Sequence, residues 1–472
     1  MTAAVWLMAA CGQLGFDAAA RDGGVDARSN DARVDDAPIA DTDRPDELAP
    51  PSRVGTPPLE ASSAIQVVDA LSGPDGARYV LGHFEGALRI GSVDHGNEGA
   101  PRSVFVLALG EAGELRWSQA WRATRFSVAT SLALVDGVLE IGGHLAGATA
   151  TPFVLQDRMR QRGVVVRLSA VSGEPVGEPE EFISSRGNAQ LKAVLSTSSL
   201  RVLVGHYVGN VDFGLGPLGA TPANVDHGSL AVFGGGALQW GARHGGANVQ
   251  FEAAAVHETS LVVGGSYVDG QVEGLPTAMG LDGLVVVHAT SGELRYRLAL
   301  QSAGRDEVRA VAMTASGPAI GLMTDGEPRL FGPENSGSLP SSVTPGMDAL
   351  VLALNTAGAL RWATRFDGDV HLTDLQPIGG DEVAVLGTFS GELRVEDERR
   401  TSAGQRDVFL AELEANGALV RLRVLGGVGD EDDAVLIVHA DAFEVVLGVE
   451  VPFGGFSDGD AEGPLEVIGL PQ

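Results

Sequence analysis

A glycine that closes a short apolar segment recurs seven times along the chain, and this repeat is the feature that most constrains the fold. Typical copies are YVLGHFEG at 79–86 and VLVGHYVG at 202–209. Successive copies lie 56 to 66 residues apart, and the aligned glycines are Gly82, Gly143, Gly205, Gly265, Gly321, Gly387 and Gly448. A near-constant period of this length indicates one structural unit that is stacked repeatedly.

Three further segments recur around the glycine, and all four segments are predicted to be β-strands. An apolar run precedes the glycine segment, as in LKAVLS at 191–196, and another follows it, as in DALVLALN at 348–355. A glycine turn then leads to a last segment, as in GALRWATRF at 358–366. Apolar or alternating runs of this length are typical of strands and too short for helices. We name the four strands of each repeat A to D.

The repeat predicts an all-β fold, namely a seven-bladed β-propeller of four-stranded antiparallel blades over residues 53–472. In such a fold each blade covers its neighbours, and closure of the ring protects the edge strands. The seventh repeat ends early, after PLEVIGL at 464–470, so its strand D is expected to come from residues 51–62. The alternative is six blades followed by a tail.

The repeat resembles the secreted bacterial β-propeller repeat proteins over nearly all of residues 64–470. The resemblance depends on the glycine after strand B, the apolar strand C and a Gly-Ala/Glu-Leu-x-Trp step that contains Trp117, Trp240 and Trp362. Tyr296 replaces the tryptophan in the fourth repeat, and the second repeat has GEPVGEPEEF at 173–182 instead. The resemblance implies the fold and no particular function, because propellers support many unrelated functions.

The N-terminal residues predict a lipid anchor and a tether. Residues 1–10 are apolar and uncharged, and Met8-Ala9-Ala10-Cys11 resembles the lipobox of bacterial lipoproteins, although Met replaces the usual Leu and no basic residue precedes it. That resemblance implies acylation of Cys11 and, with Gly12 next, an outer-membrane or cell-surface protein of a Gram-negative bacterium. Residues 11–52 are rich in Asp, Ala and Pro and are predicted to be a disordered tether.

Charge and cysteine content exclude several classes of protein. The chain has 62 acidic and 32 basic residues, for a net charge of −30, which argues against nucleic-acid binding. A single cysteine excludes a disulfide framework and a cysteine-based zinc site. Beyond the N-terminus no apolar run approaches ~18 residues, so membrane contact is expected through the lipid anchor alone. The chain is expected to be a monomer.

Histidines occupy the same repeat position in three successive repeats. His83, His144 and His206 each follow the recurring glycine directly. Three imidazoles that converge on one point can ligate zinc. The alternative is that a histidine was duplicated with the repeat and packs or caps a turn there. Later repeats have other residues at the aligned position: Ser266, Leu322, Thr388 and Val449.

Acidic residues precede strand A in several repeats, and they are the calcium candidates of the sequence. These residues are Asp306, Asp369, Asp430, Asp432 and Asp433. A ring of carboxylates near the central mouth can hold calcium. Apart from such a calcium ion, no cofactor is expected. The alternative is turn chemistry, because Asp accepts hydrogen bonds from its own neighbouring backbone.

The loops between strands B and C are long and irregular, and their face is predicted to bind a partner. They span residues 86–102, 147–162, 209–227, 270–281, 326–347 and 391–406. No nucleotide-binding, metalloprotease or serine-hydrolase motif is present. The sequence therefore favours a non-catalytic binding or scaffolding propeller outside the cytoplasm, with a protein, glycan or envelope ligand. The alternatives are an extracellular hydrolase or lyase that acts on glycans or polyesters through acids at the channel mouth, and a structural envelope protein.

Overall fold

The structure is a computed structural model, and it describes the chain in thirteen ranges. These ranges are 52–53, 59–61, 65–95, 102–149, 152–156, 158–186, 188–213, 218, 225–342, 346–426, 433–439, 442–448 and 465–471. Within them every regular element is a β-strand, as predicted. No helix of the described ranges combines the length and the hydropathy needed to cross a membrane. Cys11, Asp430 and Asp432 lie outside the described residues.

The strands follow the repeats in order. β1 (Ser52–Arg53) and β2 (Leu59–Ala61) precede the first repeat. That repeat contains β3 (Ile65–Ser72), β4 (Arg78–Phe84), β5 (Leu88–Ile90), β6 (Val93–Asp94), β7 (Ser103–Leu109) and β8 (Leu115–Trp121). The second contains β9 (Phe126–Val135), β10 (Val138–Ala146), β11 (Arg162–Ser169) and β12 (Glu180–Phe182). The third contains β13 (Asn188–Ser196), β14 (Leu200–Val208), β15 (His227–Gly234) and β16 (Ala237–His244).

The remaining strands belong to the last four repeats. The fourth has β17 (Asn248–His257), β18 (Ser260–Val268), β19 (Asp282–Ala289) and β20 (Leu294–Gln301). The fifth has β21 (Asp306–Thr314), β22 (Gly317–Thr324), β23 (Arg329–Gly332), β24 (Asn335–Ser338), β25 (Asp348–Leu354) and β26 (Leu360–Gly379). The sixth continues from β26 into β27 (Glu382–Val395), β28 (Glu398–Thr401), β29 (Asp407–Leu413) and β30 (Leu419–Leu425). The last has β31 (Asp433–Val438), β32 (Ala442–Gly448) and β33 (Leu465–Pro471).

The prediction of four-stranded propeller blades is confirmed, but the prediction of seven separate blades is not. Five antiparallel blades belong to five different sheets: β3-β4-β7-β8, β9-β10-β11-β12, β13-β14-β15-β16, β17-β18-β19-β20 and β31-β32-β33-β1. The fourth of these sheets continues beyond β20 into β23 and β24. The fifth and sixth repeats share one continuous sheet. The cause is β26, whose first half pairs with β25 and whose second half pairs with β27, so one strand ends a repeat and begins the next.

The last repeat is completed by the strand that precedes the first repeat. β1 pairs antiparallel with β33, with Ser52 opposite Gly469 and Arg53 opposite Ile468. This pairing agrees with the predicted source of the missing strand D. The last repeat is therefore a four-stranded blade and not a tail, because its outer edge is covered by a chain segment from the other end.

A β-bulge in strand A explains the recurring glycine. In the third repeat the register shifts between Leu191 and Ala193, so Lys192 is extra, and Gly205 lies opposite Leu191. A Cβ atom on Gly205 would lie 2.0 Å from the carbonyl oxygen of Gln190. The same clash, at 2.0 to 2.5 Å from a backbone oxygen, would occur at Gly82, Gly143, Gly265 and Gly387. Glycine is required for space at the bulge and not for a positive φ.

The fifth repeat is offset by one residue from the alignment made on sequence. There the residue opposite the pre-bulge position Val308 is Leu322, and Gly321 pairs with Ala310 beyond the bulge. Leu322 therefore corresponds to Gly82, and Met323, not Leu322, occupies the histidine position. The apolar pattern is the same in both registers, so the sequence alone did not reveal the shift.

The tryptophan step joins successive repeats. Trp117 donates its indole N–H to the carbonyl of Ala170 at 3.0 Å, and Trp240 donates to Thr290 at 2.8 Å. Trp362 donates to Ala415 at 2.9 Å. Each acceptor lies in the C–D turn of the next repeat, where a glycine leaves room for the ring. The two most conspicuous sequence signatures thus serve packing within and between blades, and not a binding site.

Candidate functional site

The B–C loops are built into the sheets in three repeats. β23 pairs with β20, with Ala299 opposite Phe331, so this hairpin extends the preceding blade. The end of β27 pairs with β26, and Phe366 lies opposite Val395. β5 pairs with β2, which follows the closing strand β1. These insertions therefore attach to the strand D region of the preceding blade and form a rigid face.

The three aligned histidines lie inside the protein, at the junctions between repeats. His83 is buried, its Nε2 accepts the backbone N–H of Ala129 at 2.9 Å, and its Nδ1 lies 3.2 Å from the amide oxygen of Gln66. Ala129 is the pre-bulge residue of the second repeat. The imidazole is therefore neutral, with Nδ1–H as donor, and it satisfies a backbone N–H of the next blade.

The side chains at the corresponding positions of the second, third and fifth repeats are buried as well. His144 and His206 are also buried, and burial, with a contribution from the charge of Lys192, lowers their pKa values to about 3 and about 4. At the same position of the fifth repeat the sulfur of Met323 accepts the N–H of Leu372 at 3.2 Å. The described residues contain no group of three or more His, Cys, Asp or Glu side chains that could hold a metal ion. The positions of the three histidines therefore favour a packing role over a zinc site.

Replacing His83 with glutamine is expected to reduce the loss of folding stability on acidification. Burial, with a contribution from Arg102, lowers the pKa of His83 from 6.5 to about 3. Between these values the unfolded chain binds a proton that the folded chain does not, so stability falls as the pH falls, by up to about 1.4 kcal/mol per pH unit. Glutamine does not titrate and can accept the Ala129 N–H.

Urea unfolding at pH 7, 5.5 and 4.5 measures this slope. The H83Q variant should lose less stability than the native protein on acidification, while H257Q, at an exposed site, should lose as much as the native protein. Parallel profiles for H83Q and the native chain would show that His83 does not couple folding to protons.

The acidic calcium candidates are separated or already bonded. Asp306 is fully buried and accepts the hydroxyl of Thr324 at 2.6 Å and the backbone N–H of Ser302. Burial raises the pKa of Asp306 to about 6. Asp369 is half exposed and pairs with Arg406 at 3.3 Å. The bond from the nearby Ser302 N–H is typical of an aspartate in a turn and favours that alternative for Asp306. The contact of Asp369 is a surface ion pair.

The remaining calcium candidates give no described site. Asp433 begins β31, and its side chain is not among those described, while Asp430 and Asp432 lie outside the described ranges. Calcium binding by these three residues stays a prediction.

A central cavity of about 890 Å³ lies inside the ring of strands A. Its wall is formed by β3, β9, β13, β17, β21, β31 and the second half of β26. Lys192 and Glu252, the bulge residues of successive repeats, form an ion pair of 2.9 Å in this wall. A concave space with a few polar groups is the usual form of a small-ligand site.

Two carboxylates in this wall were missed by the sequence analysis. Asp69 accepts the N–H of Leu132 at 2.6 Å, and Asp374 accepts the N–H of Leu375 at 2.7 Å and of Leu436 at 3.4 Å. Burial, with a contribution from the charge of Asp374, raises the pKa of Asp69 to about 7.

These carboxylates act on the backbone of the next blade. Both follow the bulge residue of their repeat, and at the same position Ser131 accepts the N–H of Val194 at 2.7 Å. Strand A is the innermost strand of its blade, so some of its backbone N–H groups have no neighbouring strand to bond to. Each of these side chains accepts a hydrogen bond from such an N–H in the next repeat. These carboxylates could have been identified only from the position of the bulge, which cannot be recognised in the sequence.

The chain was compared with known proteins once this geometry was known. No family model and no curated protein matches it. Among solved structures it is similar to the WD40 repeats of RRP9, with 12% identity, a TM-score of 0.45, and coverage of 88% of this chain and 99% of that chain. A subtype N10 neuraminidase-like protein of A/little yellow-shouldered bat/Guatemala has 9% identity and a TM-score of 0.38, with coverage of 89% and 100%.

A third similar structure is a protein of unknown function from Dyadobacter fermentans. It has 11% identity and a TM-score of 0.38, and the match covers 89% of this chain and 98% of that chain. Similarity at these identities and TM-scores concerns the fold of the chain, and no function follows from it.

Proposed function

We propose that this chain is a non-catalytic binding or scaffolding propeller whose partner binds the face formed by the B–C loops. The observation that carries the proposal is the pairing of B–C hairpins with the preceding blade, as in β23 with β20. Long loops held on a rigid scaffold are typical of binding surfaces. The partner is a protein, a glycan or envelope material.

We propose further that the propeller has seven blades. The continuous sheet counts as two blades that are fused through β26, with Leu360–Phe366 as the outer strand of one and Asp369–Gly379 as the inner strand of the other. Added to the five separate blades, this makes seven, and seven inner strand segments line the cavity.

The carboxylates of the cavity support a non-catalytic function. Most glycoside hydrolases need two carboxyl groups whose oxygens are available to substrate and water. Asp69 and Asp374 instead accept backbone N–H groups of the next repeat, and Asp374 also accepts the side-chain amide of Gln376 at 3.1 Å. These hydrogen bonds support a structural role for the pair.

The location outside the cytoplasm rests on the sequence of the N-terminus. The lipobox-like residues before Cys11 support an acylated anchor, and the acidic composition of residues 11–52 supports a tether. With this anchor, the B–C face is presented from the envelope of a Gram-negative bacterium.

Capture from envelope extract tests the proposed face. The full chain is compared with a variant in which residues 86–102 and 326–347 are replaced by short glycine-serine linkers, and bound species are identified by mass spectrometry. We expect the variant to lose the species bound by the native chain. A matched control on the opposite face carries Val171→Ser and Val420→Ser, at side chains 85% and 56% exposed, and should retain them.

Thermal unfolding of all three proteins establishes that each is folded before capture. Retention of the same species by the loop-replaced chain would show that the partner does not bind the B–C loops of the first and fifth repeats.

A further inference from the structure

Arginine is concentrated on one part of the B–C face, in a chain whose net charge is −30. The segments 121–126, 147–162 and 183–187 contain six arginines and one acidic residue, Asp157. The arginines are Arg122, Arg125, Arg158, Arg160, Arg162 and Arg186. Five of them are exposed in the structure, and we call four of these, Arg125, Arg158, Arg160 and Arg186, the arginine surface.

Hydrogen bonds hold the three segments side by side. The backbone N–H of Thr124 donates to the carbonyl of Ala148 at 2.9 Å, which joins the first crossover to the B–C loop of the second repeat. The guanidinium of Arg160 donates to the carbonyl of Ser185 at 3.3 Å, which joins the same loop to the next crossover. The arginines therefore belong to one continuous strip across the second repeat.

The loop beneath the arginine surface is anchored from inside. Arg162 is 1% exposed, and it donates to the carbonyls of Gly147 at 3.1 Å and Gln156 at 3.0 Å and pairs with Glu181. Phe153 packs edge-on against Trp121, with ring centroids 5.0 Å apart. Because the loop is fixed by its own core, its outer side chains are held in place before any partner arrives.

Apolar side chains lie exposed on the same segments. Val154 and Met159 are both 76% exposed, and Ile183 is 41% exposed. Large apolar side chains grouped on a surface mark an interaction site when charged residues surround them. Glu181 is the carboxylate that pairs with the surface, at 3.7 Å from Arg158. The strip therefore offers positive charge and apolar area together.

We infer that the arginine surface binds an acidic segment of a partner protein in which carboxylates alternate with apolar side chains. The inference rests on the proposed function, since it specifies the partner of the B–C face. Arginine forms paired hydrogen bonds with carboxylates, and Val154, Met159 and Ile183 offer contacts to apolar neighbours of those carboxylates. A long polyanion is disfavoured, because it would extend onto the acidic remainder of the protein.

Fluorescence anisotropy with a labelled twelve-residue peptide of alternating Glu and Leu tests this inference on the full chain. A Gln-Leu peptide of the same length and a heparin fragment are the comparison ligands. We expect the Glu-Leu peptide to bind the native chain. R158E/R160E should weaken its affinity by roughly tenfold or more, and the difference between variant and native chain should be smaller at high salt. The control R394E/R400E reverses two arginines on the B–C loop of the sixth repeat and should leave affinity within about twofold.

A second variant examines the apolar contribution. V154S/M159S keeps every charge and should weaken the Glu-Leu peptide several-fold even at high salt, where charge pairs are screened. An unchanged affinity for this variant would contradict the alternating carboxylate and apolar partner. Tighter binding of the heparin fragment than of the peptide would replace the protein partner with an anionic glycan.

The same experiment separates this inference from the proposed function. No peptide binding, or equal loss in the R158E/R160E and R394E/R400E variants, overturns the arginine surface as the site. If envelope capture is nevertheless lost when the B–C loops are replaced, the proposed face remains and only its acidic partner is wrong.

Discussion

Replacing Glu444 with glutamine is expected to destabilise the protein by about 3–5 kcal/mol, because it leaves a buried arginine without its counter-charge. Arg78 in the first repeat pairs through Nε and Nη2 with both carboxylate oxygens of Glu444 in the last repeat. Both side chains are buried, each residue being 7% exposed. Arg78 also donates to the carbonyls of Gly110 at 3.0 Å and Glu111 at 2.9 Å.

The pair joins the two ends of the repeat array. Burial alone would raise the pKa of Glu444, but the hydrogen bonds from Arg78 hold it below its ordinary value, so the carboxylate is charged at neutral pH. Loss of that charge weakens the junction at which the ring closes. The effect should therefore be a cooperative loss of stability of the whole propeller and not local fraying.

Urea unfolding at pH 7 measures the cost, with E398Q as the matched control. Glu398 pairs with Arg400 at 2.7 Å, but the two side chains are 51% and 40% exposed, so its loss should cost less than about 1 kcal/mol. The double variant R78M/E444L should recover much of the stability, because an apolar pair of similar volume carries no buried charge. Equal midpoints for E444Q and E398Q would show that the closing pair does not stabilise the ring.

Replacing Gly205 with alanine is expected to cost about 3 kcal/mol or more, whereas the same change at Gly321 should cost about 1 kcal/mol or less. A Cβ atom on Gly205 would lie 2.0 Å from the carbonyl oxygen of Gln190, so the backbone of the bulge would have to move. At Gly321 the nearest atom is a side-chain methyl of Leu372, at 3.0 Å, which can rotate away. The lower entropy of alanine in the unfolded chain offsets part of the cost at Gly321.

This comparison separates structural equivalence from sequence alignment. The two glycines align in the repeat, yet only Gly205 faces the pre-bulge residue. Thermal and urea unfolding of both variants, with circular dichroism to establish folding, measures the difference. Similar destabilisation of G205A and G321A would contradict the one-residue offset of the fifth repeat.

The architecture could be read from the sequence because it depends on local patterns that recur. Apolar runs of strand length, glycine turns and a period near 60 residues are properties of neighbouring residues, and together they predict stacked four-stranded blades. The short last repeat also predicted strand exchange, and β1 on β33 agrees with it. The continuous path of β26 was not predicted, since LRWATRF at 360–366 reads as an ordinary strand D.

The candidate sites were harder to predict, because they depend on register and on contacts between repeats. Alignment brought His83, His144 and His206 to one position, but only the structure shows that this position faces the bulge of the next blade. Asp69 and Asp374 follow a bulge residue that has no sequence signature.

The all-β fold, the repeat and its closing strand follow from the sequence alone, because each residue's tendency to form a strand or a turn is local. Tertiary structure alone decided which side chains meet. Arg125, Arg160 and Arg186 lie far apart along the chain and share one face because strands B and C bring the loop of the second repeat between two crossovers. Arg78 and Glu444 are 366 residues apart and pair because the ring closes. Charge and burial act through space, so the proposed binding surface follows from the topology of the chain and not from the order of its residues.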